Sequence, residues 1–95
     1  MDCKSVRYSR HAIERIFQRA IPPDAILECI QSGEVIASYF DDAPYPSVLL
    51  LGFADGLPVH VLVAQESAGG GCHVVTVYRP DQELWNRDFK TRRQP

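Results

Sequence analysis

The feature that most constrains this chain is a change of hydrophobic period. Between Ser9 and Ser32 apolar residues recur every three to four positions, whereas between Glu34 and Arg79 they recur every second one. Helices therefore precede strands instead of alternating with them, which points to an α+β fold with hairpin-linked strands. Ala12, Ile13, Ile16, Phe17 and Ala20 make one apolar stripe, and the Ser9 hydroxyl can accept a free backbone N–H, predicting a helix over 9–20. Pro22-Pro23-Asp24 closes it and opens a second helix over 23–32. Ala25, Ile26, Cys29 and Ile30 form the buried face of that helix, with Gly33 as its left-handed terminator.

Strands are expected over 34–40, 48–54, 58–66 and 72–79. Val35, Ala37 and Tyr39 alternate with Ile36, Ser38 and Phe40 in the first. Val59, Val61 and Val63 oppose His60, Leu62 and Ala64 in the third, and Val75 and Val77 oppose Val74, Thr76 and Tyr78 in the fourth. Pro44 and Pro46 make 41–47 a loop, and Asp55-Gly56 is a hairpin turn because both residues tolerate positive φ. Gly69-Gly70-Gly71 lacks the GxxxxGK[ST] pattern and joins two strands, so it is a hairpin loop and not a phosphate cradle. Pro80-Asp81 ends the last strand, and Trp85 and Phe89 anchor a short C-terminal segment. The expected architecture is two N-terminal helices packed on a four-stranded antiparallel sheet, in one domain over 1–95.

The 95 residues, 45% hydrophobic, suffice for a single modest core. No run approaches the ~20 apolar residues of a membrane span, and Met1-Asp2-Cys3-Lys4 leads into polar sequence, so the cytoplasm is the expected compartment. Cys3, Cys29 and Cys72 are odd in number and far apart, supporting neither a zinc site nor a redox motif. Cys29 reads as a small core side chain, and Cys72-His73 offers two metal ligands that nothing nearby completes. No metal and no cofactor are expected.

Charge is segregated. None of the ten Lys and Arg residues lies between positions 20 and 78, so the ends carry a net positive charge and the middle a negative one, within a total of −2. Such a chain is no general nucleic-acid coat, yet it can form one local anion-binding face if its ends meet in space.

Two places can carry chemistry. His11, Arg15 and Arg19 follow at i, i+4 and i+8 and project along one helical strip. A histidine exchanges a proton near neutral pH, and an arginine can hold a phosphate by two parallel hydrogen bonds. Metal-independent RNA cleavage needs those abilities: a group to move the 2′-hydroxyl proton and cations to stabilise the phosphorane. The bland alternative is a solvated helix face. His60, mid-strand among valines, needs a partner if buried, and antiparallel pairing can bring Thr76 or Tyr78 to its face. Arg79 follows Tyr78 at the strand end. Asp41-Asp42 is a paired-carboxylate candidate, more simply read as a solvated loop.

Tyr8-Ser9-Arg10-His11-Ala12-Ile13-Glu14-Arg15, Arg19-Ala20-Ile21, Gly33-Glu34, Pro44-Tyr45-Pro46, Val59-His60-Val61 and Thr76-Val77-Tyr78-Arg79-Pro80 stand in an order that resembles the prokaryotic family called domain of unknown function 4258. The resemblance implies a fold similar to RelE/MqsR-like ribonuclease toxins, with helices before an antiparallel sheet. It implies a toxin–antitoxin role beside a small zinc-ribbon antitoxin-like protein, and its polar pattern falls on His11, Arg15, Arg19, His60, Thr76 and Tyr78. Two expectations follow. The first is a metal-independent endoribonuclease, with His11, His60 and Tyr78 catalytic and Arg15, Arg19, Thr76 and Arg79 binding RNA. The second is a non-enzymatic protein-binding module that docks through its acidic middle and the Ala43-Pro44-Tyr45-Pro46 loop.

Overall fold

The computed structural model of the chain describes residues 1–67 and 70–93. Its elements run β1 (Ser5–Tyr8), α1 (Arg10–Arg19), α2 (Pro23–Ser32), β2 (Glu34–Tyr39), β3 (Ser47–Ala54), β4 (Leu57–Gln65) and β5 (Gly71–Tyr78). The α+β reading and both helices stand, but the sheet has five strands and is mixed. Its order is β1-β5-β4-β3-β2, and β1 pairs parallel to β5 while the other pairs are antiparallel. The expected four-stranded antiparallel sheet is therefore corrected by the strand at Ser5–Tyr8. Its four residues offer only Val6 and Tyr8 as an inward pair, too short a run for period two to register.

Ser9 caps α1 as expected, its hydroxyl accepting the Ala12 N–H and donating to the Val75 carbonyl. The Ser9 side chain thereby ties the start of α1 to β5. The α1 stripe is not wholly buried. Ala12 is inaccessible and Ile16 half-buried against the core, whereas Ile13 and Phe17 are exposed, Phe17 at 80%. Within the sheet, α1 packs on β5, near the β1 edge, and the outer half of a stripe this wide overhangs. On α2, Ile26, Cys29 and Ile30 are buried.

The core lies between the helices and one sheet face: Leu50, Val59, Val61, Val63, Val74 and Val77 meet Ala12, Ile21, Ile26, Cys29 and Ile30. The β4 alternation is as read. In β5 the register shifts at Leu62/Val63, so Val74 and Val77 point inward and Val75 is exposed. That bulge corrects the simple alternation expected for this strand. A second irregularity lies in β2 between Val35 and Ala37. Gly33 is extended (φ −67°, ψ 159°) rather than left-handed. It is small for another reason, since a Cβ there would lie 2.4 Å from the Cys29 carbonyl oxygen. At the Asp55-Gly56 turn both φ angles are positive, as the hairpin reading requires. The expected glycine hairpin loop lies partly outside the described residues, at Gly69.

Two further features close the structure. Cys3 and Cys72 form a disulfide, with a Cα–Cα distance of 5.6 Å across a sequence separation of 69. Parallel pairing of Val6 with Cys72 is what makes such distant residues neighbours. A cross-link of that span stabilises the fold by about 4 kcal/mol through the lost freedom of the unfolded chain. The C-terminal residues 81–93 form a small lobe on the other sheet face. Trp85 and Arg92 make an antiparallel bridge, and the Asp88 carboxylate accepts the N–H groups of Lys90 and Thr91 at the tip.

Candidate functional site

Directly paired residues on neighbouring strands share a face, so the register decides which polar groups meet. His60 pairs with Tyr78, and Leu62 with Thr76. His60, Thr76 and Tyr78 thus stand on the face opposite the helices, as the antiparallel reading anticipated.

His60 is inaccessible to solvent, and both ring nitrogens are engaged. Nε2 lies 2.6 Å from the Phe89 carbonyl oxygen and Nδ1 lies 3.1 Å from the Tyr78 hydroxyl. A carbonyl can only accept, so Nε2 carries the hydrogen and donates it. Nδ1 then holds a lone pair and accepts the Tyr78 O–H. Burial lowers the His60 pKa from 6.5, opposed in part by the Phe89 bond, and the ring is neutral at physiological pH. Tyr78 and Trp85 both meet this ring edge-to-face, with centroids at 5.2 and 4.6 Å. Burial, and secondarily Tyr39, raise the Tyr78 pKa from 10.0, with Arg92 pulling the other way; the phenol is protonated.

His11 is in a different situation. It stands exposed in the first turn of α1, with Nε2 3.1 Å from the Thr76 hydroxyl. A hydroxyl can both donate and accept, so Thr76 can partner either tautomer of the His11 ring. Arg15 follows one turn on, its Nη1 donating to the Gln18 amide oxygen.

Arg19, at the end of this strip, reaches a cleft of about 350 Å³ that it lines with Tyr78, Arg79, Asp81, Leu84, Trp85 and Arg92. Arg79 is held there by Nη1 donating to the Pro58 carbonyl at 3.3 Å. The Arg92 guanidinium lies over the Trp85 ring, 5.5 Å from its centroid. Asp81 is the one carboxylate of the lining, and its Oδ1 accepts the Glu83 N–H. Three guanidiniums against one carboxylate leave the cleft positive. The two basic ends of the chain meet here, Arg19 from the first and Arg79 and Arg92 from the second.

The structure thus gathers the sequence-predicted residues along β5: His11 on Thr76, His60 on Tyr78, and Arg19 with Tyr78 and Arg79 in one cleft. It does not leave His60 a free nitrogen. Arg92 and Trp85 were not among the predicted site residues. The signal that pointed to them was the basic C-terminus beside the sole tryptophan, but only a fold that returns residues 81–93 to the sheet gives that signal meaning.

The remaining candidates have other partners. Asp42 accepts the Ser47 hydroxyl, which makes it a loop-closing group. Cys72 is in the disulfide, and His73 pairs with Glu66 at 2.7 Å while Tyr45 stacks on its ring. Tyr45 is thus half-buried and not a free docking anchor. Among the described residues no group of three or more His, Cys, Asp or Glu could hold a metal ion, and no helix is long and apolar enough to cross a membrane.

A family model described as a domain of unknown function (DUF4258) matches residues 8–79, and the chain belongs to that family. The matched stretch holds His11, Arg15, Arg19, His60, Thr76, Tyr78 and Arg79, and ends before the lobe. No curated protein and no solved structure matches the chain.

Proposed function

We propose that this member of the DUF4258 family is a metal-independent endoribonuclease of toxin type, acting in the cytoplasm on RNA bound along β5. The observation that carries the reading is the convergence of Arg19, Arg79 and Tyr78 in one cleft, at the far end of the helical strip that starts at His11. In this reading Arg15, one turn from His11, holds the scissile phosphate and stabilises the charge that builds on it. Arg19 and Arg79 hold the next phosphates of the strand in the cleft. His11 takes the 2′-hydroxyl proton as that oxygen attacks phosphorus. The P–O5′ bond breaks to leave a 2′,3′-cyclic phosphate, the departing 5′-oxygen takes a proton from water, and the Thr76 hydroxyl steadies the His11 ring. Tyr78 forms the floor, its own proton committed to His60, and His60 supports the site without exchanging protons.

Purified protein incubated with RNA in excess chelator is expected to cleave it. His11→Ala should lower the rate by ~10²-fold or more, and Arg19→Ala and Arg79→Ala should weaken cleavage most at low salt, their deficit shrinking as salt rises. Cleavage at an unchanged rate in His11→Ala removes the proposed base.

The reading includes a RelE-like fold relationship and a small zinc-ribbon antitoxin-like partner. A second reading, the non-enzymatic protein-binding module, draws on a different surface. Tyr8, Ile13, Ile16, Phe17, Ala20, Ile21 and Pro23 line a groove of about 500 Å³ that is mostly apolar. An exposed Phe17 beside Ile13 suits a protein partner. Wild-type protein that neither binds nor cleaves RNA would favour this module.

A further inference from the structure

The lobe is the one part of the basic cleft that lies outside the residues matched by the family model. It is attached to the His60 face at three points. His60 Nε2 donates to the Phe89 carbonyl at 2.6 Å, the His60 ring stands edge-to-face on Trp85 at 87°, and Lys90 pairs with Glu34 at 2.9 Å. Within the lobe, the Arg93 N–H to Leu84 carbonyl and Asn86 N–H to Thr91 carbonyl bonds, both 2.9 Å, fix its two arms together. Arg92 is carried between them, its guanidinium over Trp85 and in the lining of the cleft. It is exposed and has no ion-pair partner among the described residues.

One ring therefore touches both the sheet and the lobe parts of the lining. Through Nδ1, His60 orients the Tyr78 hydroxyl. Through Nε2 and its contact with Trp85, it holds the segment that carries Arg92 into the lining of the cleft. Arg19 and Arg79 come from the helix and the sheet, so the three cations sit on separate elements around a shared opening.

We propose that the lobe is a nucleic-acid clamp: Arg92 contacts a backbone phosphate of single-stranded RNA, and His60 is the positioning residue that holds it there. This rests on the reading of the cleft as a phosphate-binding site. A strand contacted by cations from the helix, the strand end and the lobe engages more than one phosphate, and each phosphate contact on a single strand contributes about 0.7 to the slope of log affinity against log salt.

The test is the salt dependence of binding of a fluorescein-labelled oligouridylate to the full chain carrying His11→Ala, in chelator. Arg92→Ala is expected to make the slope shallower by about 0.7, and Arg92→Lys to leave it unchanged. His60→Leu should match Arg92→Ala, and the double variant should go no further than either alone. His60→Gln, whose amide can still donate to the Phe89 carbonyl, should keep the slope. Trp85, the sole tryptophan, reports docking independently: its emission should move to the red in His60→Leu and stay in His60→Gln. An Arg92→Ala slope equal to wild type, with Arg19→Ala and Arg79→Ala both shallower, overturns the clamp and leaves the cleft reading intact. Unchanged slopes in all three arginine variants overturn both. A red-shifted His60→Leu with a wild-type slope removes the positioning role. Should His60→Leu not fold, the exposed Arg92→Ala still decides the clamp, and a lost slope in folded His60→Gln ends the positioning role.

Discussion

His11 and His60 have the same side chain in opposite surroundings. His11 stands exposed, whereas His60 is closed to water: the Phe89 carbonyl, which can only accept, fixes its hydrogen on Nε2, and burial keeps the ring neutral although that bond favours the charged form. Protonating His60 would add a hydrogen on Nδ1 and turn the Tyr78 hydroxyl from donor to acceptor in a site closed to water. The consequence for stability has a definite sign. In the unfolded chain the ring takes a proton at about its ordinary 6.5, while in the folded chain burial holds its pKa lower. Below 6.5 the unfolded state therefore binds more protons, and stability rises with pH through that window. Urea melts followed by Trp85 fluorescence should show the wild type losing stability from pH 7.5 to 5. In His60→Gln that part of the pH dependence should vanish, bringing the two proteins closer at low pH. Parallel curves over the whole range would contradict a neutral His60.

At the scale of elements, α2 lies close against β3 at Gly52. A Cβ on Gly52 would lie 2.8 Å from Cys29 Sγ and 2.9 Å from its Cβ. Gly52→Ala should cost about 1–3 kcal/mol in a urea melt, as overpacking does. In a Cys29→Ala background the cost should shrink without disappearing, because the second contact remains. This contact also shows what a one-dimensional reading can hold. Local chemistry was legible: Ser9 as a cap, Pro23–Ser32 as a helix, Asp55-Gly56 as a turn, the His60 and Tyr78 faces. Each depends on neighbours in sequence or on the strict alternation of a strand. What escaped depends on partners far along the chain. β1 is a strand only because β5 lies beside it, and Cys3 finds Cys72 for the same reason. The bulge at Val75 and the extended Gly33 answer to packing, which no local pattern encodes. Of the site, the helix strip and the β5 residues could be read, but the immobilised state of His60 and the role of Arg92 required the lobe to be folded back.

At the scale of the molecule, the segregation of charge along the chain becomes a local field. A net charge of −2 conceals a cleft where three arginines from three separate stretches converge, with the acidic residues of the middle mostly elsewhere. The apolar surface is divided too. One sheet face is covered by the helices, part of the other by the lobe, and the overhang at Ile13 and Phe17 is left bare.

The disulfide also divides the chain topologically. Residues 3 to 72 form a closed covalent ring, whereas Thr76, Tyr78, Arg79 and the lobe hang on a tail outside it. A protease that nicks the exposed 41–46 loop opens the ring but releases nothing. A cut within the tail removes the fragment that carries Arg92. On non-reducing gels the first event should be silent and the second visible, and a thiol reductant should expose the first as two pieces. The molecule thus separates a part that survives scission from a part that does not, and every cation that the tail adds to the cleft lies on the expendable side.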